Sequence, residues 1–392
     1  MTEDILILGA KRTPIGAFLG ELSAVKATQL GSIAIQGALQ DASLSPTKVE
    51  EVLMGCVLPA GLGQAPARQA AIGAGIPENV PSTTINKVCG SGMKAVMLAV
   101  SEIRTRDISV AVAGGMESMS NAPYLLDKAR AGYRMGHGRV LDHMLLDGLE
   151  NAYDHHHMGQ IAEKTVRKYK FTRQAQDEFS ISSTLKALRA IEDGTFAAEI
   201  IPVQLNLVKI NINVAQDECP FRVKIDRIPS LKPAFEEGGT ITVANSSPIS
   251  DGAAALVLAS QAYAEHHKLK PRAVIRGYIS HAQEPEWFTT APITAIQKLL
   301  DLLGWKIGDV DLFEINEAFA VVTMATIAEL HIPPEKVNVN GGGTALGHPI
   351  GASGARLLVT LLNALERKGL KRGIASLCIG GGEATAMAIE RV

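Results

Sequence analysis

The chain has 392 residues, 46% of them hydrophobic but only 4% aromatic, with 37 glycines. That is enough chain for two or three domains with sizeable cores, and the small-residue composition suits layered α/β packing. A formal net charge of −2 argues against nucleic acid or an anionic membrane surface as partner, and no apolar run reaches bilayer-crossing length.

In chain order, Met1-Thr2-Glu3-Asp4 lacks the basic start of a secretory or transit segment. It leads into Ile5-Leu6-Ile7-Leu8, an apolar run ending at Gly9 that suits a strand buried on both faces. A helix is predicted over Ala27–Leu39 and a second strand over Val52-Leu53-Met54. Thr84 to Met93 then reads as a loop holding Cys89, followed by the apolar helix Lys94–Val100. Cys89 falls at the amino end of that helix, where unpaired N–H groups and the helix dipole lower a thiol's pKa. Gly90 and Gly92 are expected to let backbone or ligand approach the sulfur closely. The competing reading of Cys89 is a small, inert core residue. Val110–Ala113, running into Gly114-Gly115-Met116-Glu117, is the next strand, and the alternation predicts a mainly parallel, covered sheet.

From Met119 to about Asn245 the pattern changes. This segment is richer in charge and histidine, with Asp154-His155-His156-His157-Met158-Gly159, a helix over Thr172–Asp193 and a ragged stretch from Leu205 to Pro229. It reads as an inserted lid, after which Thr242–Ser260 returns to the first unit with a strand over Ala254–Leu258.

The last third repeats the first. Val310 matches Val49 at an offset of 261 (310 − 49), and Gly351 matches Cys89 at 262 (351 − 89). Ser376–Glu383 parallels Val110–Glu117 after a four-residue insertion. Two copies of one α/β unit follow, packed face to face about a pseudo-twofold axis. The division is 1–118 completed by 246–270, an inserted loop domain over 119–245, and 271–392.

In the second unit, reactive residues sit among glycines after apolar strands: Asn316-Glu317-Ala318-Phe319, Asn340–Gly343, Gly347-His348-Pro349, and Cys378 before Gly380-Gly381-Gly382. Sites gather beyond the carboxyl ends of strands in such sheets. The repeat puts His348 before the mate of the Cys89 helix, so a central pairing of the two helices brings Cys89 and His348 together. Taken singly, His348 reads equally as a loop residue capping backbone and Cys378 as a small strand-end residue. A Cys–His pair makes a nucleophile, and a second thiol supplies an acid or base. The four cysteines, Cys56, Cys89, Cys219 and Cys378, match no zinc spacing, so no metal is expected and reduced thiols in a cytoplasmic enzyme are.

With Asn86–Gly92, Gly114–Ser120, Asn316–Ala320, Asn340–Gly354 and Cys378–Gly382 in view, the chain resembles the thiolase family, of the acetyl-CoA acetyltransferase type. The likeness runs from Lys11-Arg12-Thr13-Pro14 to the carboxyl end and implies an αβαβα fold with an inserted lid. It implies that Cys89 carries the acyl group, His348 accepts its proton, and Cys378 removes the α-proton of a second acetyl-CoA. Asn316 would hold a water that stabilises the enolate with His348, and the N–H groups of Cys89 and Gly380 would form an oxyanion hole. His157, Met158, Phe235, Ser247, Ala318 and Phe319 would line the coenzyme A channel. Acetyl-CoA, acetoacetyl-CoA and CoA are then substrates and products rather than cofactors, and Met119–His143 would carry contacts of a homotetramer. Pro248 stands where many relatives have a small flexible residue. Phe221 replaces the tyrosine of potassium-activated relatives, so no potassium site is expected, and Phe288 lies near the acyl pocket. Alternatives are a broader 3-ketoacyl-CoA thiolase, favoured less by His157, a decarboxylating ketosynthase, disfavoured by Cys378, and a silent acyl-CoA carrier, disfavoured by the intact trio.

Overall fold

The computed structural model describes residues 3–207 and 210–392. The readings of Met1-Thr2 and of Val208-Lys209 within the ragged stretch lie outside the described residues. The first unit contributes β1 (Ile5–Arg12), α1 (Ala27–Asp41), β2 (Glu51–Gly55), α2 (Pro66–Gly73), β3 (Ser82–Ile85), α3 (Ser91–Thr105) and β4 (Val110–Ser118). The insertion carries α4 (Met158–Tyr169) and α5 (Arg173–Glu192), with short hairpins at Tyr124–Leu125/Leu141–Asp142 and Val203–Leu207/Ile210–Val214. β5 (Ser250–Ser260) completes the first unit. The second unit runs β6 (Ala273–Ala282), α6 (Ala291–Leu303), β7 (Leu312–Ile315), α7 (Ala320–Leu330), α8 (Ile350–Lys368), β8 (Arg372–Ile379) and β9 (Glu383–Arg391).

The strands join in the order β7-β8-β9-β6-β1-β5-β4-β2-β3. Only β2/β3, β2/β4 and β7/β8 are parallel, whereas β1/β5, β1/β6, β4/β5, β6/β9 and β8/β9 are antiparallel. The expectation of a mainly parallel sheet is therefore wrong. β8 and β9 are linked by a tight turn through Gly380–Gly382, which can only make an antiparallel pair, and β5 enters after the insertion from the opposite direction. β1 also runs past Gly9 to Arg12, with its register jumping between Ile7 and Gly9. Gly9 tolerates no side chain, because a Cβ there would lie 2.2 Å from the Ala38 carbonyl oxygen of α1.

The pseudo-twofold axis is visible in the pairing. Ile5 faces Ile275, Leu6 faces Val274 and Ile7 faces Ala273, so the axis passes through the Leu6–Val274 pair. Around it α3 and α8 lie back to back between the two half-sheets, in one apolar cluster with Ile7, Leu256, Leu377 and Ile389. α1 and α2 cover the outer face of the first half-sheet and α6 that of the second. This is the five-layered arrangement the resemblance implied, with an added edge-to-edge join at β1/β6.

Two corrections follow from register. Leu53 pairs with Ala113 and Glu314 with Ala375, so β4 maps onto β8 at an offset of 262 (375 − 113). No four-residue insertion exists; Met116, not Val112, is the mate of Cys378. Gly92 serves helix packing rather than access to the sulfur: a Cβ there would sit 2.9 Å from the Ala355 nitrogen, and one on its mate Gly354 would sit 2.4 Å from the Met93 nitrogen. The two glycines let α3 and α8 cross at backbone contact.

The lid is tied down by a buried ion cluster. Arg12 Nε donates to Glu199 at 2.5 Å and its terminal nitrogens donate to Asp217 at 2.7 and 2.9 Å. Glu163 of α4 accepts the Thr240 and Ile241 N–H groups at 2.6 and 2.7 Å, which fixes the strap carrying Phe235. Among the described residues no helix is long and apolar enough to cross a membrane.

Candidate active site

The loop before α3 is held in a shape that sequence propensity opposes. Val88 has φ 46°, a left-handed conformation that costs a β-branched residue about 1–2 kcal/mol. Its N–H donates to Asn86 Oδ1 at 3.0 Å and its carbonyl accepts Ser91 Oγ–H at 2.6 Å, which offsets that cost. Cys89 therefore sits one residue before the Gly90 cap of α3, as expected, and opens onto an internal cavity.

The thiol does not have the depressed pKa expected from the helix end. Burial pushes Cys89 up to about 11, against the N–H groups of Gly380 and of Cys89 itself, which point at the sulfur and pull it down. Desolvation outweighs two aligned donors here. Cys378, at the end of β8, is fully buried and held well above the usual thiol range by burial and by its neighbour Cys89.

His348 sits just before α8. Its N–H donates to the Pro248 carbonyl at 3.1 Å, its Nδ1 lies 2.5 Å from Ser353 Oγ, and its Nε2 lies 3.3 Å from Asn316 Nδ2. Burial and the positive charge of Arg356 push its pKa down to about 3, so the ring is neutral. Asn316 follows β7, its N–H bonded to the Ser376 carbonyl at 2.9 Å, and its Oδ1 is buried with no partner among the described residues. It stands behind His348 rather than on the cavity wall.

Two carboxylates fix these loops. Glu117 accepts the N–H groups of Val57, Leu58 and Gly351 at 3.0, 3.1 and 2.8 Å, and burial raises it to about 7. Glu317 gathers Ser183, Asn338 and Thr344, steering the chain toward Gly347 and His348.

The cavity, of about 380 Å³, is lined by Cys89, His348, Cys378 and Gly380 together with residues of the insertion and of both units. His157, Met158, Phe235, Ser247, Ala318 and Phe319 all line it, as do Pro248 and Phe288. His157 Nδ1 caps α4 by accepting the Gly159 N–H at 3.0 Å, and burial keeps its pKa low. Its ring stacks on Phe235 at 4.7 Å, and Phe319 meets Phe235 and Phe288 edge-on at 6.0 and 6.4 Å. The Ser247 N–H donates to Ala318 O at 2.9 Å, joining the strap to the Asn316 loop.

Sequence reasoning missed Ser353 and Arg356 as partners of His348, and Met119, Leu149, Val243 and Ile350 as wall residues. Ser353 lies one turn into α8 from His348, a spacing that was readable, whereas Val243 and Leu149 come from loops without pattern.

Residues 5–262 match the family model described as the thiolase N-terminal domain, and residues 269–391 that of the thiolase C-terminal domain. The chain is 50% identical to acetyl-CoA acetyltransferase 2 of Arabidopsis thaliana over 99% of this chain and 97% of that one. It is 48% identical to acetyl-CoA acetyltransferase of Escherichia coli over the full length of both. Among solved structures, acetyl-CoA acetyltransferase of Bacillus anthracis superposes with a TM-score of 0.97 at 40% identity, covering 100% of this chain and 99% of that one. A thiolase from Ascaris suum in complex with coenzyme A gives a TM-score of 0.94 at 42% identity over the whole of both chains. With both halves matched, the relatives full-length and the two units packed about one dyad, the chain belongs to the thiolase family.

Proposed function

We propose that this protein is an acetyl-CoA C-acetyltransferase that reversibly condenses two acetyl-CoA to acetoacetyl-CoA and CoA. The observation that carries the reading is the convergence of Cys89, Cys378 and a neutral His348 on one cavity, with two backbone N–H groups at the Cys89 sulfur. Names of full-length relatives at about half identity agree with it.

In this mechanism the Cys89 sulfur attacks the thioester carbonyl as its proton passes to His348, and the CoA thiolate leaves with the C–S electron pair. CoA takes its proton from Cys378, which becomes the base. The Cys378 thiolate then removes an α-proton from the second acetyl-CoA. Histidinium stabilises the enolate oxygen, with Asn316, whose Oδ1 has no partner among the described residues, standing behind the ring. The carbanion attacks acetyl-Cys89, and the departing Cys89 thiolate recovers the proton from His348, closing the cycle. Donors preorganised at the developing oxyanions supply much of the rate.

Phe288 and Phe319 pack with Cys378 and Met158, so bulky side chains crowd the base, which supports a short acyl substrate. Coenzyme A thioesters are substrates here, and the reaction needs no further cofactor. The exposed apolar residues Tyr124, Leu126, Met135 and Val140 support the assignment of this segment to homotetramer contacts, and four unpaired cysteines suit the cytoplasm. The test is thiolysis of acetoacetyl-CoA and 3-ketohexadecanoyl-CoA in parallel. Strong preference for the four-carbon substrate is expected; equal turnover of the long chain would move the protein to a broad 3-ketoacyl-CoA thiolase, and no turnover of either to a carrier.

A further inference from the structure

The two pseudo-symmetric helices begin with matched serines whose hydrogen bonds differ in one respect. In the first unit, Ser91 Oγ accepts the Lys87 N–H at 2.8 Å and donates to the Val88 carbonyl at 2.6 Å. Its mate is Ser353 (353 − 91 = 262), and the mate of Lys87 is Pro349 (349 − 87 = 262). Proline has no N–H to give. Ser353 Oγ still spends its single proton on a backbone carbonyl, that of Pro349 at 3.0 Å. The lone pair that its twin uses for backbone is thereby left for another donor, and His348 Nδ1 faces it at 2.5 Å.

An oxygen whose proton is committed elsewhere can only accept, so the imidazole proton belongs on Nδ1. Nε2 is then bare. Asn316 Nδ2 lies 3.3 Å from Nε2 and 3.5 Å from Nδ1, almost equidistant from the two, so it does not set the tautomer and the Ser353 contact does. Ser353, Asn316 and His348 are all buried.

We propose that Ser353 is a positioning residue that holds His348 in its Nδ1–H tautomer, leaving Nε2 to receive the Cys89 proton during acyl transfer. In that step the S–H bond breaks as Nε2–H forms, the sulfur pair makes the new C–S bond, and the CoA sulfur departs with the old one. The inference rests on the acyl-transfer reading above. It adds that replacement of an N–H donor by Pro349 in the second copy converts a structural serine into one that orients the base.

The direct test is NMR of the histidine ring nitrogens in the whole protein, with the His348 signals identified by their loss in His348→Asn. The resting wild type should show a protonated Nδ1 and a bare Nε2. Ser353→Ala should move the proton to Nε2 and slow acetylation of Cys89 by acetyl-CoA roughly 10- to 100-fold, by analogy with the loss of partners that orient metal-bound histidines. The KM should change little. Pro349→Ala reinstates a competing N–H and should shift the tautomer part-way, with a smaller loss of rate.

An Nε2–H signal in the wild type would overturn the proposal, and so would a Ser353→Ala protein that acetylates at the wild-type rate. Should Ser353→Ala not fold, the wild-type spectrum still decides. Failure of the underlying reading looks different: the wild type would gain no acetyl group on Cys89 at all.

Discussion

Glu117 Oε2 accepts the Gly351 N–H at 2.8 Å, so a carboxylate from the first unit holds the first turn of the second unit's central helix. The same side chain takes the Val57 and Leu58 N–H groups, and it lies near enough to Cys89 to raise that thiol's pKa. Glu117→Gln replaces one accepting oxygen with a donor facing N–H groups, and should cost about 1–3 kcal/mol in denaturant unfolding.

The pH dependence carries the sign. Glu117 is raised to about 7 when folded, so between its ordinary value and about 7 the native state holds the extra proton and stability falls as pH rises. His348 is pushed down to about 3, so between about 3 and the ordinary histidine range the unfolded state holds the extra proton and stability rises with pH. Across the overlap the two slopes oppose each other. Relative to wild type, Glu117→Gln should tilt the stability profile upward with pH and His348→Asn should tilt it downward, read from denaturation midpoints at several pH values. Parallel profiles for all three proteins would contradict the burial-driven shifts.

Arg12 is wholly buried between Glu199 and Asp217 and joins the lid to the first unit. Its removal in Arg12→Ala strands two buried carboxylates and should cost about 3–5 kcal/mol by chemical denaturation. Adding Glu199→Gln and Asp217→Asn in the same chain should recover part of that loss, because no unpaired charge then remains.

Phe235 roofs the cavity by stacking on His157 and meeting Phe319 edge-on. Gly159 beneath it has no room for a Cβ, which would lie 2.3 Å from Phe235 Cγ. Phe235→Ala should weaken binding of the thioester by about 1 kcal/mol, a several-fold rise in KM with a smaller change in kcat. A large fall in kcat at constant KM would place Phe235 in the chemistry instead of the channel.

Much of this site was legible because chemistry-bearing residues stood in glycine-flanked loops that repeat. Cys89, His348 and Cys378 line one cavity, and the 262-residue offset brought α3 and α8 together. Strand direction was not legible: β5 read as an apolar run, and nothing in such a run tells which way it enters a sheet. The matching of glycines after Cys378 to Gly114-Gly115 misled the repeat alignment, since backbone pairing and not glycine content sets register. The thiol pKa went the other way because a helix end is visible in sequence and the enclosure around it is not. Ser353 was in plain view as part of Gly351-Ala352-Ser353-Gly354, but its partner is defined only once Pro349 and the α8 turn are built.

The division of labour between the two thiols is the centre of the account, and isotope exchange of the acetyl group between acetyl-CoA and free CoA separates it. Exchange needs Cys89 to be acylated and deacylated, with Cys378 supplying only a proton that the CoA thiolate can also take from water, whereas condensation cannot proceed without the Cys378 base. Cys378→Ala is expected to retain measurable exchange while losing acetoacetyl-CoA formation, and Cys89→Ala to lose both. Exchange that survives in Cys89→Ala, or condensation that survives in Cys378→Ala, would contradict the assignment of nucleophile and base.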